Sequence, residues 1–125
     1  MAMKQKFRKL DVWQKAMSFV ENIYEVTGEF PQKEVYGLTS QLRRAALSIP
    51  LNIAEGSGAS SDQDFSRFLS ISLRSTYEVM CGIEIAVRLK YCAEQNKTQL
   101  LSSCEELSAM ITGLKKKLLS AKYIR

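Results

Sequence analysis

The sequence predicts an all-α protein, an antiparallel four-helix bundle with up-down-up-down topology and a second helix that is kinked near Pro50. Apolar residues recur at helical spacing in four segments, at about residues 11–27, 35–55, 61–92 and 97–121. Short breaks separate these segments, so consecutive helices must run in opposite directions. With 125 residues, 6 glycines and 2 prolines, the whole chain fits one helical domain better than a sheet built on many tight turns.

The first helix carries two neighbouring apolar stripes. One stripe consists of Val12, Ala16, Phe19, Ile23 and Val26, and the other consists of Trp13, Met17, Val20 and Tyr24. The core of a four-helix bundle needs only one side of each helix, so the second stripe predicts that this helix is covered on a further side. An exposed apolar face of this width indicates an interface with another copy of the chain.

The second helix contains the run Ser48 to Gly56, which reads Ser-Ile-Pro-Leu-Asn-Ile-Ala-Glu-Gly. A proline inside a helix removes one hydrogen bond and clashes with the carbonyl one turn back, at a cost of about 3 kcal/mol. The apolar seam nevertheless keeps its phase across the proline, through Leu38, Leu42, Ala45, Ile49 and Ile53. We therefore predict one kinked helix that ends at Glu55, with Gly56 directly after it in the left-handed conformation typical of a helix C-terminus.

Asn52 and Glu55 share a face of this helix because they lie three residues apart. One interpretation is structural: Asn52 satisfies a carbonyl freed by Pro50, and Glu55 accepts from a backbone N–H or from Arg43 or Arg44. The other interpretation is functional, a ligand or subunit contact at this end of the bundle. The two arginines leave a similar choice, between spreading along apolar surface or pairing with an acid, and contacting phosphate.

The third helix begins at Ser61, which forms a capping-box pattern with Asp64, and small residues at 72, 75 and 76 allow a neighbouring helix to approach closely. The fourth helix has heptad spacing in Leu100, Cys104, Leu107, Ile111, Leu114, Leu118 and Ala121. That spacing predicts antiparallel coiled-coil-like packing. The lysines at 115–117 fall between two heptad leucines, so we expect them on the outward face.

The net charge of +5 is concentrated at the two ends of the chain. Residues 1–9 contain four basic residues, residues 115–125 contain five, and all 13 acidic residues lie between them with the other 9 basic ones. Two basic ends suit a polyanion, because neutralising phosphates releases counterions. The simpler interpretation is solubility and favourable charge at a helix C-terminus. The candidate nucleic-acid-binding residues are Lys4, Lys6, Arg8, Lys9, Arg43, Arg44, Lys115, Lys116, Lys117, Lys122 and Arg125.

The sequence carries few groups suited to catalysis. Histidine is absent, and neither a glycine-rich phosphate loop nor a nucleophile elbow occurs. Cys81, Cys92 and Cys104 lack metal-binding spacing, and an odd cysteine count without a signal peptide points to a reducing cytoplasm. No apolar run is long enough to cross a membrane. We therefore expect a cytoplasmic protein that is not an enzyme, binds no metal or cofactor and has no membrane partner. The weakest alternative is an enzyme that uses carboxylates and a metal ion.

Three motifs follow one another over about residues 6–120: Phe7 to Trp13, Arg43 to Gly56, and Phe68-Leu69-Ser70-Ile71 with Ser75 and Glu78. Together they resemble the family of 23S ribosomal RNA intervening-sequence proteins, with Arg74 standing where that family commonly has glycine. The resemblance implies a bacterial, cytoplasmic four-helix bundle without known catalysis. Its fold is similar to that of accessory proteins of diversity-generating retroelements.

Assembly and partners also follow from the resemblance, which implies five-fold rings and hence a homopentamer. It further implies RNA or DNA, and a reverse transcriptase, as partners. The alternative to nucleic-acid binding is a protein-interaction scaffold or an accessory subunit, for example of a reverse transcriptase, with no direct contact to nucleic acid.

Overall fold

Four α-helices account for most of the chain in a computed structural model, which describes the backbone of residues 2–124 and the side chains of residues 6–120. The helices are α1 (Asp11–Thr27), α2 (Leu38–Ser57), α3 (Asp62–Arg88) and α4 (Glu94–Ile124). Two 3₁₀ helices accompany them: the N-terminal segment Ala2–Lys9 precedes α1, and Gln32–Glu34 lies before α2. Residues 2–124 contain no β-strand, so the all-α prediction is confirmed.

Each helix packs on the next one in the chain, and α1 also packs on α4, which closes a ring of four helices. Residue numbers rise along one helix as they fall along its neighbour, so these neighbours run antiparallel. The contact pairs that show it are Ile49–Ser72 and Leu42–Gly82 for α2 with α3, and Ser70–Lys115 and Glu84–Lys97 for α3 with α4. The described helices therefore form the antiparallel bundle that the sequence predicts.

The core lies along the predicted seams of all four helices. Its largest fully buried side chains include Phe19, Ile23, Ile49, Ile53, Leu69, Ile83, Leu107 and Ile111. Ser72 and Thr76 are also fully buried, and their hydroxyl groups donate to backbone carbonyl oxygens at 2.9 Å. Small hydroxyl side chains thus allow α3 to approach α2 without leaving polar atoms unpaired.

Helix α2 continues through Pro50, which is buried, as its uninterrupted seam predicts. The kink near Pro50 stays a prediction. The prediction that Gly56 ends the helix in the left-handed conformation is wrong, because α2 ends at Ser57 and no described glycine has a positive φ. A Cβ atom at Gly56 would lie 2.8 Å from atoms of Phe65 and of Phe68. The close approach of α3, rather than the backbone conformation, is therefore what requires glycine here.

Helix α3 ends at Arg88, four residues before its predicted end, because Lys90 adopts a left-handed conformation with φ of 65°. The N–H of Tyr91 donates to the Ala86 carbonyl at 2.8 Å, and the N–H of Lys90 donates to the Val87 carbonyl at 3.0 Å. This pair of hydrogen bonds is the Schellman motif, which usually places glycine at the left-handed position. A lysine there gives no signal in the sequence.

Helix α2 begins at Leu38 rather than near residue 35, because the Glu34 carboxylate caps it. One oxygen of Glu34 accepts a hydrogen bond from the Leu38 N–H at 3.1 Å, and the other accepts one from the Tyr91 hydroxyl at 3.1 Å. The Tyr91 ring lies 5.8 Å from the Phe30 ring. These contacts tie the connection between α1 and α2 to the turn between α3 and α4. Helix α4 begins at Glu94, three residues earlier than predicted.

Candidate nucleic-acid interface

Both basic ends of the chain lie toward the same end of the bundle. In an antiparallel ring of four helices, the starts of α1 and α3 lie beside the ends of α2 and α4. The N-terminal segment packs on α1 and α2, and Lys115, near the end of α4, reaches Ser70 near the start of α3. We call this end of the bundle, including the N-terminal segment, the basic end.

Charge is distributed unequally between the two halves of the bundle. Dividing each helix at its midpoint, the half toward the basic end comprises residues 6–19, 48–75 and 109–120, which contain nine basic and four acidic residues. The other half, residues 20–47 and 76–108, contains six basic and nine acidic residues. The described side chains therefore give a net charge of +5 on one half and −3 on the other. Such a field attracts polyanions to one end of the molecule.

An aromatic contact anchors the N-terminal segment. The Phe7 ring meets the Trp13 ring edge to face, with the centroids 5.0 Å apart, and the Gln14 side chain donates to the Arg8 carbonyl at 3.0 Å. Lys6, Arg8 and Lys9 are exposed on this anchored backbone. Lys4 lies outside the residues whose side chains the structure describes.

The three lysines near the end of α4 differ in their surroundings. Lys116 and Lys117 are exposed, as expected for the outward face. Lys115 is half-buried and donates a hydrogen bond to the Ser70 hydroxyl at 2.6 Å, so it faces α3 rather than solvent alone. Lys122 and Arg125 lie outside the residues whose side chains are described.

Arg67 also belongs to the basic end, although it is not among the nucleic-acid-binding residues that the sequence predicts. Its guanidinium lies over the Phe68 ring, 4.8 Å from the centroid, and its Nε lies 3.6 Å from a carboxylate oxygen of Asp64. Asp64 is placed by the predicted cap, since its backbone N–H donates to the Ser61 hydroxyl at 3.1 Å. The spacing of Asp64 and Arg67 indicates an ion pair on one helix face, but only the structure shows the aromatic contact.

Arg43 and Arg44 lie in the other half of the bundle, about 20 Å along α2 from its last residue at 1.5 Å per residue. Arg43 donates to the Thr27 hydroxyl at 2.8 Å and to the Tyr24 carbonyl at 3.2 Å, and its guanidinium lies 4.4 Å from the Tyr24 ring centroid. This arginine joins α2 to the end of α1. Arg44 is exposed. The structure does not bring either residue together with the basic ends.

The motif from Ser48 to Gly56 connects α2 to α3. The Asn52 side chain donates to the Ser48 carbonyl and to the Ser48 hydroxyl, both at 2.9 Å, and the Ser75 hydroxyl donates to the Ser48 hydroxyl at 2.8 Å. Asn52 therefore contacts the carbonyl of Ser48. The carbonyl that Pro50 leaves without a helical hydrogen bond is that of Ala46, four residues before the proline. Glu55 is exposed, and its carboxylate makes no ion pair with any arginine whose side chain is described.

Cys92 and Cys104 are not activated as nucleophiles. Burial raises the pKa of the Cys104 thiol to about 12, and the nearby Glu105 adds to this effect. Burial and the Glu94 carboxylate likewise raise the pKa of Cys92. A reactive thiol needs a lowered pKa. Within the described residues, no group of three or more acidic, cysteine or histidine side chains is placed to hold a metal ion.

Part of the second apolar stripe of α1 is left uncovered in the protomer. Phe7 packs on Trp13, but Met17 and Tyr24 are 41% and 38% exposed. On α2, Leu47 and Leu51 are 37% and 63% exposed, and they continue the helix face of Arg43, which contacts Tyr24. We call Met17, Tyr24, Leu47 and Leu51 the α1–α2 apolar face.

A family model described as 23S rRNA-intervening sequence protein matches residues 8–113. The chain belongs to this 23S rRNA intervening-sequence protein family. The match includes the whole motif from Arg43 to Gly56, and it leaves out Lys6 and the lysines at 115–117. Four of the nine basic residues counted toward the basic end thus lie outside the matched range, and the other five lie within it.

The fold of this family member is also that of a solved structure. A crystal structure of a protein of unknown function from the S23 ribosomal protein family of Bacteroides thetaiotaomicron aligns with a TM-score of 0.76 and 23% sequence identity. The alignment covers 84% of this chain and 98% of that one. Among proteins with curated descriptions, none matches significantly. No helix in the described part of the chain is both long and apolar enough to span a membrane.

Proposed function

We propose that this member of the 23S rRNA intervening-sequence family is a cytoplasmic, non-catalytic protein that binds RNA or DNA through its basic end. The observation that carries the proposal is the net charge of +5 on the described residues of the half of the bundle that contains both basic chain ends. Neutralising phosphates with several such side chains releases counterions and gives binding that depends little on sequence. The name of the family makes RNA the first ligand to test.

Binding should be measured with fluorescently labelled RNA and DNA over a range of salt concentrations. The test variant combines Lys9→Gln, Lys116→Gln and Lys117→Gln, because all three lysines are exposed and they come from both basic ends. The matched control combines Lys33→Gln, Arg88→Gln and Lys90→Gln, which removes the same charge from exposed positions in the other half.

The test variant should bind more weakly and should reduce the slope of log affinity against log salt by about 2–3 units, at about 0.7–0.9 for each of three lost phosphate contacts. The control should keep the wild-type slope. No binding at low salt, or equal losses in both variants, would contradict the proposal. If binding is absent and the lysines are dispensable in cells, a protein-interaction scaffold, such as a subunit that accompanies a reverse transcriptase, becomes the better explanation.

We also propose that the chain assembles into a homo-oligomer, a pentamer, through the α1–α2 apolar face. Four large apolar side chains of two neighbouring helices are exposed there, and exposed apolar surface of this kind often marks an interface. A contact between this face and a different face of the next copy closes into a ring when the rotation permits.

Light scattering coupled to gel filtration tests the assembly. Met17→Glu combined with Leu51→Glu should convert the oligomer to a folded monomer, because both charges would be buried at the interface. Leu89→Glu is the control, since Leu89 is 49% exposed and lies outside this face. A wild-type monomer, or an oligomer that survives the double substitution, would contradict this interface.

A further inference from the structure

We propose that the basic end binds single-stranded nucleic acid in preference to duplex, with the Arg67 guanidinium as a platform on which a base stacks. This inference rests on the proposed function and names the class of its ligand. It follows from how aromatic and basic side chains are interleaved at the basic end. Net charge alone would attract any polyanion, so it does not distinguish a single strand from a duplex.

Arg67 packs on an aromatic ring and is nevertheless largely exposed. The Phe68 ring lies under its guanidinium at 4.8 Å, and a carboxylate oxygen of Asp64 lies 3.6 Å from its Nε. The Arg67 side chain is nevertheless 63% exposed, so the outer face of the guanidinium is open to solvent. Single-stranded RNA is commonly bound by stacking bases on arginine planes and aromatic rings.

The N-terminal segment repeats this arrangement on the same end of the bundle. The Arg8 guanidinium lies 5.9 Å from the Phe7 ring centroid, and Phe7 in turn packs on Trp13. Two exposed arginines, each over an aromatic ring, therefore accompany the phosphate-attracting lysines. The third such pair, Arg43 over Tyr24, lies in the other half, where its guanidinium is tied to α1 by hydrogen bonds.

A duplex cannot use these platforms, because its base faces are already stacked inside the helix. A single strand offers every base face, and each base stacked on an aromatic group adds to affinity with little dependence on sequence. Lysines on α4 attract the phosphates of either form. Because a duplex has the higher charge density, the loss of single-strand affinity when the planar group is replaced is what measures stacking.

The test compares a labelled single-stranded RNA with a blunt-ended duplex of the same length, which has no loop, using the full chain. Arg67→Lys keeps the positive charge but removes the planar group. Arg74→Lys is the matched control, because Arg74 is exposed on the same helix and lies over no aromatic ring among the described side chains. Circular dichroism should show that both variants are folded.

Wild-type protein should bind the single strand more tightly, and Arg67→Lys should weaken that binding by about fivefold or more while leaving duplex binding unchanged. Arg74→Lys should change neither. Equal binding of both forms, or an equal loss of both with Arg67→Lys, would overturn this inference and leave the proposed function standing. Binding of neither form at low salt would overturn both.

Discussion

The hydroxyl of Ser72 in α3 donates a hydrogen bond to the carbonyl oxygen of Ile49 in α2, at 2.9 Å and directly before Pro50. Ser72 is fully buried, so this bond lies within the core. One turn further along α3, Ser75 bonds to the Ser48 hydroxyl, which Asn52 also contacts. Hydroxyl groups of α3 thus hold the part of α2 that contains the proline.

Ser72→Ala should lower the free energy of unfolding by about 1–2 kcal/mol, because a buried hydrogen bond is lost and nothing replaces the donor. Urea denaturation measures this change, and the m value should stay constant. Ser102→Ala on the exposed side of α4 is the control, with an expected change within about 0.5 kcal/mol. Similar losses in the two variants would mean that the buried bond is not the cause.

Gly56→Ala and Gly113→Ala should change stability in opposite directions. A Cβ atom at Gly56 would meet Phe65 and Phe68 at 2.8 Å, so overpacking should destabilise the protein by about 1–3 kcal/mol. Nothing lies within 4 Å of a Cβ atom at Gly113. There, alanine should stabilise α4 by about 0.5–1 kcal/mol through its higher helix propensity. Thermal unfolding of both variants gives the comparison, and shifts of the same sign would contradict the packing argument.

Arg43→Gln should reduce stability without weakening nucleic-acid binding. Its side chain makes two hydrogen bonds to the end of α1 and lies over the Tyr24 ring, so we expect a loss of about 1–2 kcal/mol in urea denaturation. Affinity for RNA should stay within about twofold, because the residue is remote from the basic end and contributes no phosphate contact there. Arg44→Gln, at an exposed position, should change neither property. A marked loss of affinity in either variant would extend the interface along α2.

The helices could be predicted from the sequence because burial imposes a period on apolar residues, as the seam from Leu42 to Ile53 shows. The ends of the helices could not be predicted in this way, because side-chain capping or an unusual backbone conformation determines them. Glu34 caps α2, and Lys90 ends α3 with a positive φ. Gly56 was misjudged for the same reason, because its function depends on which residues of α3 face it.

The candidate site was predictable only in part. The basic character of both chain ends is plain in the sequence, and the antiparallel topology brings them together. Arg67 was missed because a single arginine after a helix cap is ordinary until its contact with Phe68 is seen. Arg43 is a candidate for phosphate binding in the sequence because it is basic. In the structure it contacts Tyr24 and Thr27, and these contacts give it a structural role.

Stability should fall at alkaline pH, in part through Cys104. Burial raises the pKa of this thiol to about 12, from an ordinary value of 9.0. Below pH 9 the thiol is protonated in both the folded and the unfolded chain, so it has no effect on the pH dependence. Between pH 9 and 12 the unfolded chain loses the proton and the folded chain keeps it. This contribution lowers the free energy of unfolding by up to about 1.4 kcal/mol per pH unit.

Urea denaturation from pH 7 to pH 11 tests this, with Cys104→Ala as the variant. The alanine protein should be less stable at pH 7 because it leaves a small cavity, but its stability should decline less steeply above pH 9. Tyr91 and Cys92 also have a raised pKa and titrate in both proteins, so the difference between the two slopes isolates Cys104. Ser102→Ala, which removes no titratable group from an exposed position, should keep the wild-type slope. Parallel declines in wild type and Cys104→Ala would show that the buried thiol is not the group that links folding to alkaline pH.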